Sequence, residues 1–435
     1  MATEVAVITA LTGAQAFYST YAAARTAATA GDKIQIWADL TNELLLLKDK
    51  VDIWIAPGRI IQMTDSAPII LDNDGGYTSA VEVNISGNGF LKSINEKYGC
   101  VKIVNRDSIV SITCDSMENE GYDPTSLEGT TIYIENCSKF YLNCGKIINS
   151  KQRAIFFENE VEDINIKAGL IQSGDYTGGD AVTIRGNGFL SANEIICNND
   201  GSCLLFQGGS LTANILKLTT TNISSTSAGT VKMSGGTGNQ ELTLYFDEIQ
   251  NLSSNSGDAV IADEGILNLI GRRIFSVNGL SLDLASDANI LVDEIISETK
   301  GINIRNSNTT KVIIESNYIE GSNGNDGVVR SATGSNYVLR NAKIKCTDTS
   351  SDSVCIFLPG GDENNQLIEI ENIILVTGNT SSGDTIRRMG SNTINVKNLG
   401  LFVNKEIDRT KIILKIGTGT GTGENFKYIV SLDIT

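Results

Sequence analysis

The chain carries 51 carboxylate side chains and no histidine, which limits the chemistry open to it. Without imidazole, Ser–His and Cys–His nucleophile systems and histidine-ligated metals are excluded. Two acids flanking a glycosidic bond, about 5–9.5 Å apart, would still suffice for hydrolysis. Glu158, Glu160, Asp163 and Asp180 fall in neighbouring repeat units and are the candidate catalytic acids. Asp247, Glu248, Asp293 and Glu294 fall in similar places further along. One column, however, reads Glu194, Glu248, Arg273, Glu294, Tyr318 and Lys343. Mixed signs of this kind are what a solvated strand face looks like, so the acidic strip has two readings: a solvated face, or a strip facing a glycan. Tyr122, Tyr176 and Tyr318 lie in polar contexts and could stack on sugar rings, whereas Phe189 fits a core equally well.

Other chemistries lack their residues. The eight cysteines include no Cys-X-X-Cys pair, and Cys197, Cys203 and Cys355 stand in strand-like apolar runs, so buried thiols are expected. The Gly-Thr run at 417–423 has no following helix and is not a phosphate loop. Calcium-binding Gly-Gly-X-Gly-X-Asp repeats are missing, so neither a metal nor a cofactor is expected. A net charge of −17 repels nucleic acid and anionic membrane surfaces alike. No apolar run is long enough for a membrane span, and the first residues lack the basic start of a secretory signal.

The elements that must position these residues are repetitive. Gly-Asp-Ala-Val occurs at Gly179 and again at Gly257. Between and beyond them, glycines at 179, 201, 229, 257, 279, 301 and 327 each open a similar unit, and Gly129 and Arg153 open two more upstream. Each unit runs through a short alternating stretch, a polar turn, a second alternating stretch such as Asp-Glu-Ile-Ile, and a polar tail of variable length. Apolar residues recur with period two, which removes helical arrays, and units of this length are half a propeller blade. Each unit therefore reads as one coil of a parallel β-helix. One coil cannot bury its apolar face alone; stacked coils share a continuous core. The glycine recurs because the corner needs positive φ or close backbone approach.

Residues 12–30, rich in alanine, fit an amphipathic helix over the first coil, and KIILKI and NFKYIVSLDI flanking the Gly-Thr run read as a closing hairpin. Such caps would protect the raw edges of a stacked sheet. The expected organisation is a cap segment over 1–32, a β-helix over 33–403 and a capping hairpin over 404–435.

The stretch GDKIQIWADLTNELLLLKDKVDIWIAPGRII, Gly31 to Ile61, resembles the opening coils of pectate-lyase-like right-handed parallel β-helix proteins. In that family an alanine-rich helix leads to Gly-Asp-X-Ile, a coil with Leu-Lys-Asp, and an extended run ending in Pro-Gly-X-Ile. The resemblance implies an all-β, single-stranded right-handed parallel β-helix (solenoid) of roughly a dozen coils, with an N-terminal α-helical cap and a C-terminal β-hairpin cap. Function is less determined, because the fold hosts polysaccharide lyases, glycoside hydrolases, bacteriophage tailspikes and passive adhesins. The Gly-His-Gly and paired-Asp motifs of the polygalacturonase-like members are missing, as are the arginine motifs of the pectate lyases.

The resemblance therefore points first to a non-enzymatic structural or receptor-binding component of a bacteriophage particle, of tailspike, fibre or capsid-spike type, located in the virion. Such a component would form a homotrimer, contact host surface polysaccharide, and meet other virion proteins through its N-terminal cap. A polysaccharide hydrolase or lyase using carboxylates is the alternative, and a bacterial surface adhesin the second.

Overall fold

The computed structural model describes residues 5–403, apart from 73–78, 95–96, 122–126, 175–178, 224–226, 237–239, 306–309, 323–326, 333–334, 349–353, 359–366, 378–385 and 389–392. The described chain is almost all β, with one α-helix, Tyr21–Ala27. It divides after Leu216 into two compact units.

In the first unit, short strands alternate with long ones. The short strands Val101–Ile103, Ile132–Ile134, Ile155–Phe157, Val182–Ile184 and Leu204–Phe206 pair in parallel, each with its equivalent one coil away. The long strands Ile109–Asn119, Lys139–Asn149, Val161–Ser173 and Gly186–Cys197 do the same. In the second unit the short strands include Gly229–Met233, Asp258–Ala262, Leu282–Leu284 and Ile302–Ile304. Its long strands Glu241–Asn251, Ile266–Ser276 and Asp287–Ser297 are again parallel. Each unit is thus a parallel β-solenoid-like stack.

The long strands Glu241–Asn251, Ile266–Ser276 and Asp287–Ser297 each bend once. Along Glu241–Asn251, Leu242, Leu244 and Phe246 point inward, and then Asp247 and Glu248 both lie outward before Ile249 and Asn251 return to the core. Two successive outward residues reverse the alternation, so the strand changes face there. Arg272–Arg273 and Asp293–Glu294 occupy the same corner of the next two coils. The Asp-Glu-Ile-Ile signature of the repeat is this corner followed by its first inward isoleucine. The core is filled by stacked isoleucine, leucine and valine, and all eight cysteines are buried as thiols.

The turn from long to short strand is stitched by polar side chains pointing inward. Asn251 Nδ2 donates to Gly257 O at 2.5 Å while its Oδ1 accepts the Ser253 N–H at 3.0 Å. Asn149 does the same with Gly129 O and the Lys151 and Gln152 N–H groups, and Ser297 with Gly279 O and the Lys300 N–H. Buried backbone groups that a turn would orphan are satisfied this way.

Of the two reasons expected for the recurring glycine, close approach is the one that operates at Gly201 and Gly279. Neither has positive φ. A Cβ on Gly201 would lie 2.2 Å from Gly179 O, and one on Gly279 would lie 1.6 Å from Gly257 O. Consecutive turns stack backbone on backbone, with no room for a side chain.

The amino-terminal expectation needs correction. Residues 12–30 are not one helix: Gln15–Tyr18 is a strand, antiparallel to Val5–Ile8, and the helix has seven residues. The Thr20 side chain accepts the Ala23 N–H and fixes the helix start there, while the aromatic pair Phe17–Tyr18 favours the strand. The hairpin expected over 404–435 lies outside the described residues.

Candidate functional site

Of the four candidate catalytic acids, Glu158 and Asp180 flank the short strands of the first unit, whereas Asp163 lies in the long strand Val161–Ser173. Glu158 directly follows Ile155–Phe157, donates its N–H to Ile134 O at 2.8 Å, and accepts a hydrogen bond from the Tyr133 hydroxyl. Glu135 holds the same place one coil earlier, and burial, then the charge of Glu158, raises its pKa. The Tyr133 ring stacks on Phe156 with centroids 6.1 Å apart, Arg153 lies over Phe156 at 4.9 Å, and Lys102 lies 6.0 Å from the Tyr133 centroid and 2.6 Å from Glu128. Tyr133 is 5% and Phe156 8% exposed, so neither ring offers an open face to a sugar.

The register sets Asp180 apart from Glu158. Asp163 stands opposite Lys139 and accepts the Tyr141 hydroxyl at 2.5 Å. Glu160 is exposed in the turn before Val161. Asp180 sits at the far end of the short strand: the register Ile155↔Val182 sets it opposite Arg153, five residues back from Glu158. Five strand residues span about 16 Å, more than a carboxylate pair working on one glycosidic bond allows.

Asp180 has a structural task. Its Oδ1 accepts the Ser202 N–H of the next coil at 2.9 Å. Asp258, the aspartate of the second Gly-Asp-Ala-Val, accepts the Leu280 N–H at 2.7 Å in the same position. Burial raises the pKa of both, that of Asp258 to about 7.

In the second unit the mixed-sign column stands in register: Glu248, Arg273, Glu294, Tyr318 and Lys343 follow one another from coil to coil. Arg273 reaches both neighbours, with Nη1 3.2 Å from Glu248 and Nε 3.7 Å from Glu294. Beside it, Arg272 and Asp247 form a bidentate pair at 2.7 and 3.1 Å. Asp247, Glu248 and Glu294 are thus met by cations of their own sheet, and Asp293 by the Asn317 amide at 3.0 Å. Glu194, in the first unit, stands in the same kind of position opposite Leu170.

Among the aromatics, Tyr318 bonds Glu320 through its hydroxyl, and Phe189 lies half-buried on the outer face opposite Asn165. Tyr122 and Tyr176 lie outside the described residues. Sequence reasoning passed over Trp37 and Trp54, the chain's two tryptophans, whose rings meet edge to face with centroids 4.8 Å apart. Trp54 inside Ile-Trp-Ile and Trp37 directly after Ile-Gln-Ile were the available signal.

Comparison with known protein families, with curated proteins and with solved structures returns no match.

Proposed function

We propose that this chain is a non-enzymatic, glycan-contacting β-helix: a structural or receptor-binding component of a bacteriophage particle, of the spike or fibre type. One observation carries the non-enzymatic part. Asp180, whose pKa is raised by desolvation, makes the same backbone bond as Asp258, so its desolvation is explained by coil stacking rather than by catalysis. Hydroxyl partners on Glu158 and Asp163 support the same reading. The finer architecture belongs to this proposal too: a right-handed helix of the pectate-lyase-like kind, closed by the N-terminal helix and the C-terminal hairpin, assembled as a homotrimer and joined to other virion proteins through its N-terminal cap.

The test is incubation of the purified chain with isolated bacterial surface polysaccharides, scoring retention, new reducing ends and unsaturated uronate ends together. Retention without either product is expected. Product formation that disappears in Glu158→Gln or Asp180→Asn would establish the carboxylate hydrolase or lyase instead. Light scattering should give three times the 46.5 kDa chain mass.

A further inference from the structure

The tryptophan pair lies on the outer face of the first coils, and the sheet around it is laid out as a grid. The strand Lys33–Ile36 pairs in parallel with Asp52–Ile55, which pairs with the strand Glu82–Gly87. Inward residues Ile34, Ile36, Ile53, Ile55 and Ile85 are all buried. The outward residues therefore form two columns. One is Lys33, Asp52 and Asn84; the other is Gln35, Trp54 and Ser86. Trp37 stands just beyond, 45% exposed, with its ring inclined at 64° to that of Trp54. Rows in such a grid are about 4.8 Å apart, close to the width of one pyranose ring.

We infer that this face is a binding platform for a neutral saccharide, an inference that rests on the glycan-contacting reading above. Two rings at a steep angle present a corner, so one sugar can lie on the Trp37 face while its neighbour meets Trp54. Trp indoles bring a large rigid apolar surface with little rotameric entropy to lose. Gln35, Asn84, Ser86 and Asp52 flank the rings with donors and acceptors; Asp52 Oδ1 accepts the Asn84 N–H at 3.1 Å and the Ser86 hydroxyl donates to Ile53 O at 3.4 Å, which leaves the second carboxylate oxygen, the hydroxyl lone pairs and the two amides for sugar hydroxyls. Lys33 is offset by Asp52 next to it in the column, and the chain as a whole is strongly acidic, so a polyanionic sugar gains nothing here. A protein partner would call for a broad apolar face, whereas apart from the two rings this grid is polar.

Because the chain's only tryptophans both belong to the platform, fluorescence excited selectively in tryptophan reports on this place alone. Malto-, cello-, manno- and chito-hexaose would be titrated to about 10 mM, the weak end of single-site affinities, with hexagalacturonate as the acidic control. At least one neutral hexaose should give a saturable blue shift, at least tenfold tighter than the control. Trp37→Ala should lose that response although Trp54 still reports, and Trp37→Phe should restore it to within tenfold. Independently of any variant, the same hexaose should slow oxidation of the native tryptophans by N-bromosuccinimide at least fivefold. The platform is refuted if no neutral hexaose shifts the emission, or if Trp37→Ala binds like the parent. Retention of Trp37→Ala on bacterial polysaccharide would then show that the broader reading survives while this site does not.

Discussion

The two Gly-Asp-Ala-Val segments hold their backbones alike and their charges differently. Asp180 and Asp258 each accept the N–H of the second residue of the next coil, Ser202 and Leu280. Around Asp180 the nearby charge is Arg153, which favours the carboxylate. Around Asp258, Asp283 disfavours it while Lys300 and Arg305 favour it, Arg305 being itself held by Asp283 at 2.8 Å and by Asp263 at 2.6 Å. The repeated element is therefore the stacking device of glycine carbonyl, aspartate cap and backbone N–H. The ionic surroundings are free to vary from coil to coil, which explains why a buried aspartate can recur without a shared chemistry.

Removing the glycine should break both copies of the device most severely. Gly279→Ala would force a Cβ to within 1.6 Å of a backbone oxygen, and Gly201→Ala to within 2.2 Å. We expect Gly279→Ala to cost about 4 kcal/mol or more, and Gly201→Ala somewhat less. Gly58→Ala, at φ +73 with open space around the added carbon, should cost only about 1 kcal/mol. Thermal unfolding of the three variants would sink the close-approach account if Gly58→Ala proved the worst of them.

The aspartates should separate the copies by pH. In the folded chain Asp258 titrates at about 7, against an ordinary value of 3.8. Between these values the folded state holds more protons than the unfolded one, so stability falls as pH rises through that window and levels off above it. The slope is at most about 1.4 kcal/mol per pH unit. Asp258→Asn keeps an acceptor for Leu280 and should flatten the decline, gaining on the parent at pH 8 and losing its advantage near pH 4. Asp258→Ala and Asp180→Ala, which leave an N–H unsatisfied, should each cost about 1–3 kcal/mol. Equal pH profiles for parent and Asp258→Asn would show that the carboxylate is not desolvated as described.

Much of this device was legible in the sequence, and some of it was not. The recurring glycines and the period-two alternation mark the short and long strands, and the column from Glu248 to Lys343 can be written down from the spacing of the repeat alone. The corner at Asp247–Glu248 is harder to read, because a bend shows only as two polar residues in succession, which a turn would show equally well. Asp180 drew notice as an acid in a phrase that the chain repeats, yet its hydrogen-bond partner lies 22 residues away and only stacking reveals it. Alanine content argued for a long N-terminal helix, but Thr20 caps it late and the residues before it pair as a strand. Trp37 and Trp54 meet only once the strands Lys33–Ile36 and Asp52–Ile55 are in register.

The smallest expected effect tests the second unit's strip. Arg273 touches Glu248 and Glu294 while itself remaining partly exposed, so each contact is screened by solvent and contributes about 0.2–1 kcal/mol. Arg273→Gln should lower stability by about 1 kcal/mol at low salt and by less at high salt, since exposed pairs weaken as the Debye length shortens. Arg273→Glu would place three acids in successive coils, and like charges directly opposite are destabilising, so it should cost more than the glutamine and recover more on adding salt. Urea titrations of the two variants at low and high ionic strength make the comparison. If Arg273→Glu matched Arg273→Gln at both, the column would not be an electrostatic ladder, and its alternating signs would reflect only the solvation of an outer face.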